Sequence, residues 1–569
     1  MNSKEREALL DKGLDLHKRG SLDDAAKIYQ EILSIDPEHL DALQLLATLK
    51  GQIGDHAVAL TLFDEVIRLR PDYAGAFNNR GNALKRLKRV HEAIESYDVA
   101  IRLKPDYADA FNNRGAALLE LKRFEEALAS YDNAIRLRGD NAEAFYNRGM
   151  ALHRLMRFEE ALVSYNESIK TRPNNAETLY NRGVTLHETG RLDEALQSYD
   201  EAIRIRPGYA NALCNRGVTL HGLKRFDEAL SSYDRAIEMQ PDHVLANYNK
   251  SLVLLLMGRM PEGWELYEWR LRRDNRKDQY LHDRQKFWRG KESLEGKSIL
   301  ISAEQGLGDS IQFCRYLPMI HNLGAKIIFS VHRPLVGVMT TLLPSITIIS
   351  HGDPIPEFDV YCPLMSLPHA FGTSLTTIPG RVPYLSADPV KAGYWRQRLG
   401  ELTNFRVGLV WNGGFRPDQP EVWATNERRN IPVKAFAPFF QHPHIDFFSL
   451  QKGEPAESEI GGREGEFWPQ GNFRNYAGEL SDFSDTAALI ENLDLVISVD
   501  TSTAHLSGAL GKPTWLLNRY GTCWRWLEDR EDSPWYPSVR LFRQQEPRNW
   551  VSVLDRVSRE LSSIAKTAR

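Results

Sequence analysis

The sequence predicts an α-helical solenoid over its first half and a parallel α/β fold over its second. Three observations predict this. Proline, alanine and aromatic residues return every 34 residues as far as about residue 241, and that phase is lost by about Lys297. From there short apolar runs alternate with amphipathic stretches, as in strands of a parallel sheet covered by helices.

The repeat is read from several positions in phase. Prolines stand at 37, 71, 105, 173, 207 and 241, with Gly139 at the missing beat, and alanines at 25, 59, 93, 127, 161, 195 and 229. The aromatic position is Tyr29, Phe63, Tyr97, Tyr131, Tyr165, Tyr199 and Tyr233, and a glycine position runs through Gly81, Gly115, Gly149, Gly183 and Gly217. Gly and Ala let two antiparallel helices approach, the aromatic fills the gap, and Pro stops the second helix. These residues resemble the tetratricopeptide repeat, whose helix pairs stack because none can bury its apolar face alone. About seven repeats fit between Met1 and Pro241, and a degenerate eighth carries Gly263 and Tyr267 at the Ala and aromatic places. We assign residues 1–272 to the superhelix and 273–296, rich in Arg, Asp and Lys, to a connector.

A second series has the same step: Asn79, Asn113, Asn147, Asn181, Asn215 and Asn249, with Asp11 and Leu45 in its place in the first two repeats. This series is similar to the asparagine ladder of the O-GlcNAc transferase superhelix, which implies a groove holding the backbone of an extended polypeptide. An amide offers donor and acceptor together, so it can hold a peptide without reading its side chains. The other reading is that each Asn hydrogen-bonds between adjacent repeats, or reflects recent duplication of near-identical units.

The 569 residues exceed one core, and 42% hydrophobic with 26% charged residues is ordinary for a globular protein. A formal charge of −4 gives no overall pull towards nucleic acid or anionic membrane. No run approaches the ~20 apolar residues of a membrane span, and Met1 to Lys18 lacks the apolar core of a signal peptide. Cys214, Cys314, Cys362 and Cys523 are scattered, which suits thiols packed as small hydrophobes in a reducing cytoplasm.

In the second half, strands are expected at Lys297–Ser302, Lys326–Ser330, Ser345–Ser350 and Phe358–Cys362. After a polar stretch at Arg381–Asp388 they resume at Arg406–Trp411, His444–Leu450, Leu493–Val499 and Pro513–Leu517. A helix is expected over about Ser310–His321 and a last one over about Trp550–Ala565. The pattern fits two Rossmann-like lobes, 297–388 and 389–569, with a cleft between them (the GT-B arrangement), although the pattern alone also admits one larger domain.

Three segments carry a functional resemblance. Gln305-Gly306-Leu307-Gly308-Asp309 follows the first strand. Arg429-Asn430-Ile431-Pro432 places a basic residue ahead of a proline. Val499-Asp500-Thr501-Ser502-Thr503-Ala504-His505-Leu506 leads to Ala509-Leu510-Gly511-Lys512-Pro513. In this order they resemble the glycosyltransferase family 9 heptosyltransferases over roughly Lys297 to Leu561. The whole chain resembles bacterial tetratricopeptide glycosyltransferases, which share the architecture of O-GlcNAc transferase. Two departures stand out. Ser502 replaces the family's usual Gly, and Arg519 to Trp526 does not follow the heptosyltransferase pattern, so heptose is not implied.

The resemblance implies transfer of a sugar from a nucleotide-sugar donor with inversion, with Asp309 as general base, a role typically worth about 10²–10⁴-fold. An Asp at a helix start is also a common cap. Arg429 would clamp the leaving diphosphate, with Arg428 as a substitute, or be a solvated surface Arg. Thr501, Ser502 and the backbone amides after Asp500 would open a helix against the donor phosphates, and Asp500 would orient the turn or touch the sugar, or cap the helix. His505 would reach phosphate or sugar, or be a core histidine. Gly306, Gly308, Trp411 and Asn412 would shape the donor pocket, and Gln451 and Lys452 would face base or ribose. No Asp-X-Asp occurs in this half, so neither a metal nor another cofactor is expected. The acceptor expected is a polypeptide in the repeat groove, with self-association left open. The alternatives are a non-catalytic protein-binding scaffold and a transferase acting on lipopolysaccharide or another glycan.

Overall fold

The computed structural model describes residues 3–273, 286–401, 404–414, 423–454, 456–461 and 472–567. Half of the expected connector, 274–285, therefore lies outside the described residues. The chain divides into two compact units, Met1–Pro241 and Asp242–Arg569.

The first unit is a tetratricopeptide-type helical solenoid. Among the described residues it holds seven helix pairs, from Ser3–Lys18 with Leu22–Ile35 to Ala210–Gly222 with Phe226–Met239. The glycine series explains their closeness. A methyl at Gly81, Gly115, Gly149, Gly183 or Gly217 would stand 2.5–2.6 Å from the ring of the aromatic 16 residues on, Tyr97 through Tyr233. Those rings are almost wholly buried, so the missing side chain is what lets the pair close over its aromatic.

Two further periodic features hold the pairs. The turn within each pair needs one residue of positive φ, the left-handed cap of the first helix. Gly20, Gly54 and Gly190 supply it at φ 80–88°, and Lys88, Lys122, Met156 and Lys224 at 59–64°. From the third pair on, an arginine in the first helix can tie two second helices together: Arg80 donates to Asp64 and Ser96, both at 2.6 Å. Arg114, Arg148 and Arg216 repeat this with the residues 16 before and 16 after them.

The second unit opens with the helices Val244–Leu256, Met260–Tyr267 and Arg270–Arg273, so the helix pair of the degenerate eighth repeat belongs to it. Two fully parallel sheets follow. The first contains β1 (Ser298–Ser302), β2 (Lys326–Val331), β3 (Thr347–Ser350) and β4 (Val360–Pro363), in spatial order β3-β2-β1-β4. The second contains β5 (Phe405–Val410), β6 (Ile445–Ser449), β7 (Phe473–Asn475), β8 (Leu495–Val499), β9 (Thr514–Asn518) and β10 (Val539–Arg543), in order β10-β9-β8-β5-β6-β7. These are two Rossmann-like lobes. In the second, counting strands from its own first gives 3-2-1-4-5-6, the doubly wound order.

All eight expected strands are present within two residues of their expected ends. β7 and β10 are additions: three residues are too few for periodicity, and β10 (Val-Arg-Leu-Phe-Arg) is an edge strand interrupted by arginines. The helix expected over 310–321 instead starts at Leu307 and breaks into Leu307–Phe313, a 3-10 turn at Cys314–Tyr316, and Leu317–Asn322. Pro318, in the first turn of the last piece, has no N–H to continue the ladder. The last helix runs Val551–Thr567. No helix of the described residues is long and apolar enough to cross a membrane.

Candidate active site

Parallel α/β sheets bind ligands beyond the carboxyl ends of their strands, where the strand order reverses. In the second lobe that point lies between β5 and β8, and in the first between β1 and β4. The chain leaving β1 becomes Gly306–Asp309, that leaving β5 becomes Trp411–Gly414, and that leaving β8 becomes Asp500–Ser502. All three segments reach one cleft of about 610 Å³.

The first and third segments are brought together by a close helix contact. Gly308, in the helix Leu307–Phe313, faces the helix Ser502–Ala509, and a methyl on it would stand 2.8 Å from Cδ2 of His505. Gly306 takes the cap position with extended backbone, and its N–H donates to Asp309 Oδ2 at 2.9 Å. Asp309 thus stabilises its helix from the third helical position rather than from the cap. Its other oxygen, Oδ1, is ion-paired with Arg525.

The second lobe supplies the cationic wall. Arg429 ends the helix Trp423–Arg429 and donates to the Asp500 carbonyl at 2.9 Å. Its guanidinium lies against the backbone at Gly413, where a methyl would overlap it. The Gly413 N–H is held by Asn430 Oδ1 at 2.8 Å. Gln451, beyond β6, accepts from Trp411 N–H at 3.2 Å and Asn412 N–H at 2.9 Å, fixing the turn. Lys452 donates to the Ala477 carbonyl at 2.7 Å. Burial pulls the Arg428 pKa down, and the charges of Arg519 and Arg548 add to the effect.

His505 is 5% exposed and stacks on Trp526, with ring centroids 5.2 Å apart. Its Nδ1 shares a 3.0 Å hydrogen bond with the Tyr536 hydroxyl. Burial pushes its pKa down to about 4 against the pull of Asp500, so the imidazole is neutral at physiological pH. Thr501 precedes the Ser502 helix in extended conformation, its hydroxyl 3.0 Å from that of Ser498.

The last repeat-type helices brace this site. Trp264 meets Trp524 edge-on at 5.2 Å and Phe313 at 6.2 Å. The Tyr267 hydroxyl bonds Gln305, next to the glycine turn, at 3.1 Å. Arg270, 2% exposed, pairs with Glu268 at 2.6 Å and Glu304 at 2.8 Å.

Of the site residues expected from sequence, the base candidate Asp309 and the donor-site residues Gly306, Gly308, Asn412, Arg429, Asp500, Thr501, Ser502 and His505 all line this cleft, as do Gln451 and Lys452. Trp411 does not. It is fully buried in the second lobe's apolar core with Val407, Phe436 and Ile497, because it continues β5 with its side chain turned beneath the turn. Sequence reasoning missed Arg519 and Arg525. Their signal was present only as the departure of Arg519–Trp526 from the heptosyltransferase pattern. Cys214, Cys314 and Cys362 are buried thiols, whereas Cys523 lines the cleft.

The asparagine series in the first unit is built into the stacking of repeats. Asn113 donates to Asn78 at 3.0 Å, Asn147 to Asn112 at 3.4 Å, Asn181 to Tyr146 at 3.0 Å and Asn215 to Tyr180 at 3.1 Å, each partner lying 35 residues earlier. Asn79 instead accepts from its neighbour Asn78 at 3.2 Å. The side chains of Asn79, Asn113, Asn147, Asn181, Asn215 and Asn249 are half-buried, so each still reaches the surface. Asn249 lies in the second unit.

Comparison with known proteins agrees with the repeat architecture. Models described as "Tetratricopeptide repeat" match residues 45–108, 140–208 and 174–242, and one described as "TPR repeat" matches 117–155. Protein FlbA of Caulobacter vibrioides is 29% identical over 338 residues, covering 54% of this chain and 53% of that protein. The chain thus spans about half the length of the curated relative it matches. Among solved structures, YrrB, described as a TPR protein with an unusual peptide-binding site, is 30% identical with TM-score 0.31, over 33% of this chain and 98% of that one. Pseudomonas aeruginosa pilF is 22% identical with TM-score 0.34, over 37% and 95%. The chain is a tetratricopeptide-repeat protein with a C-terminal parallel α/β region.

Proposed function

We propose that the second unit is a nucleotide-sugar-dependent glycosyltransferase of GT-B type, inverting at the transferred carbon, whose acceptor is a hydroxyl of a polypeptide recruited by the repeats. The observation that carries this reading is the meeting of the loops after β1, β5 and β8 at one cleft with Arg429 in its wall. Arg429 and the amides opening the Ser502–Ala509 helix suit a nucleoside diphosphate, whose negative charge grows as it leaves. Asp309 would take the proton of the acceptor hydroxyl while its oxygen attacks the anomeric carbon. The bond from that carbon to the phosphate oxygen breaks, its electron pair leaving with the diphosphate. The neutral His505 would hydrogen-bond the donor without competing for the transferred proton.

The polypeptide acceptor rests on the asparagine series. Bonding between repeats engages amide N–H groups of Asn113, Asn147, Asn181 and Asn215, and their carbonyl oxygens remain to accept from a peptide backbone. A scaffold reading is favoured by one observation only, the ion pair that occupies Asp309.

A thermal-shift screen of the purified chain against UDP-, GDP-, ADP-, CMP- and dTDP-sugars tests the donor site. Stabilisation by one nucleotide class, lost in Arg429→Ala and His505→Ala, is the expected result. No shift with any donor would leave the scaffold as the better reading.

A further inference from the structure

Arg525 carries more hydrogen-bonding capacity than its surroundings use. It comes from the short turn Trp524–Trp526, lies 4.2 Å over the ring of Trp524, and is 11% exposed. One terminal nitrogen pairs with Asp309 and the other points at the Cys523 sulfur at 3.0 Å, a weak acceptor. Its Nε is buried without a partner. A guanidinium that presents five donors and meets one good acceptor is suited to a ligand with several anionic oxygens.

Asp309 has the opposite condition. Gly306 N–H occupies one carboxylate oxygen and Arg525 the other. With Arg525 on Oδ1, an acceptor hydroxyl has to share that oxygen with the guanidinium or displace it. Both residues border the same cleft as Arg429 and Ser502.

We propose that Arg525 serves two anions in turn, exchanging the Asp309 carboxylate for the diphosphate of a nucleotide-sugar, so that donor binding itself releases Asp309 to act as base. The proposal rests on the glycosyltransferase reading and adds to it an order of events. Donor binds first, its phosphate oxygens accept from the Arg525 fork, and Asp309 Oδ1 is freed for the acceptor hydroxyl. Proton abstraction is thereby held back until a leaving group is in place. Arg525 is a catalytic residue in this scheme because it touches the donor, and it also positions Asp309.

A double-mutant cycle on the full chain, read by calorimetric titration with the nucleoside diphosphate that the wild type binds, tests this exchange. Replacing Asp309 by Asn removes the competing carboxylate and should tighten diphosphate binding about 10-fold, the worth of one charge-assisted hydrogen bond. Arg525→Ala should weaken it about 30-fold or more. In the Arg525→Ala background, Asp309→Asn should change affinity by less than about 2-fold, because no guanidinium remains to be released. Equal tightening in both backgrounds would mean plain charge repulsion and overturn the exchange, as would weaker binding by Asp309→Asn. If Arg525→Ala fails to fold, Arg525→Gln closes the same cycle, since it keeps a long polar side chain and loses the charge that pairs with Asp309. A wild type that binds no nucleoside diphosphate would instead overturn the glycosyltransferase reading from which the exchange proceeds.

Discussion

Gly308 and His505 are in contact across the two lobes: a methyl on the glycine would stand 2.8 Å from the imidazole Cδ2 and 3.5 Å from the Ser502 Cα. The imidazole is held from behind by Trp526 and Tyr536, so it has no room to retreat. Gly308→Ala should therefore push the Leu307 helix away from the Ser502 helix, costing about 1–3 kcal/mol of stability as overpacking does. On the proposed reading of the cleft, nucleotide affinity should fall about 10-fold with it, since the glycine turn and the Ser502 helix would no longer share one cleft. Denaturant melts and calorimetric titration of the variant measure both, and unchanged values for both would show that the contact is slack.

His505 makes stability depend on pH in a defined window. Its folded pKa of about 4 lies below the ordinary 6.5, so between these values the unfolded chain binds more protons and stability rises with pH. The contribution is fully present above about 6.5 and lost as pH falls towards about 4, reaching about 3 kcal/mol for a shift of this size. His505→Asn should flatten the stability profile over this window relative to wild type, measured by urea unfolding at several pH values. A wild-type slope that survives in the variant would place the titrating group elsewhere.

What was legible in the sequence followed from periodicity and order along the chain. The 34-residue phase gave the helix pairs because each packing role recurs at its own residue type, as Gly81 against Tyr97 does. Eight strands were legible because buried parallel strands are short apolar runs with punctuation on both sides. The Asp309–Arg525 pair was not, since 216 residues separate its members and only the closing of the lobes brings them together. Trp411 was misplaced for a related reason: motif position put it beside Asn412, but side chains alternate along a strand and its extension, so one faces the cleft and the next the core.

Met156 occupies a backbone conformation that asks for glycine. Its φ is 61°, whereas the equivalent turns at Gly20, Gly54 and Gly190 carry no side chain. The Met156 side chain is 71% exposed, so little packing offsets the strain. A left-handed non-glycine residue costs roughly 1–2 kcal/mol, and glycine returns part of that as chain entropy on unfolding. Met156→Gly should stabilise the surrounding helices Ala142–Arg154 and Phe158–Thr171 by about 0.5–1 kcal/mol. Slower amide hydrogen exchange in those two helices is the expected sign, with distant repeats unchanged.

One rung of the arginine series lacks its acid. Arg80, Arg114, Arg148 and Arg216 each hold an aspartate 16 residues before them at 2.6 Å. At Arg182 that position is Asn166, only Ser198 is bonded, at 2.7 Å, and the Arg182 Nε is buried without a partner. A buried donor left unsatisfied costs about 1–3 kcal/mol, while the aspartates of the complete rungs are half exposed and so gain little from charge alone. Asn166→Asp should therefore raise stability by about 1 kcal/mol, through satisfaction of the Nε rather than through Coulomb attraction. The two contributions separate by salt: a gain that persists in 0.5 M NaCl belongs to the hydrogen bond, and one that disappears belongs to the charges. No gain at either salt concentration would mean that the Asn166 side chain already meets the guanidinium in solution.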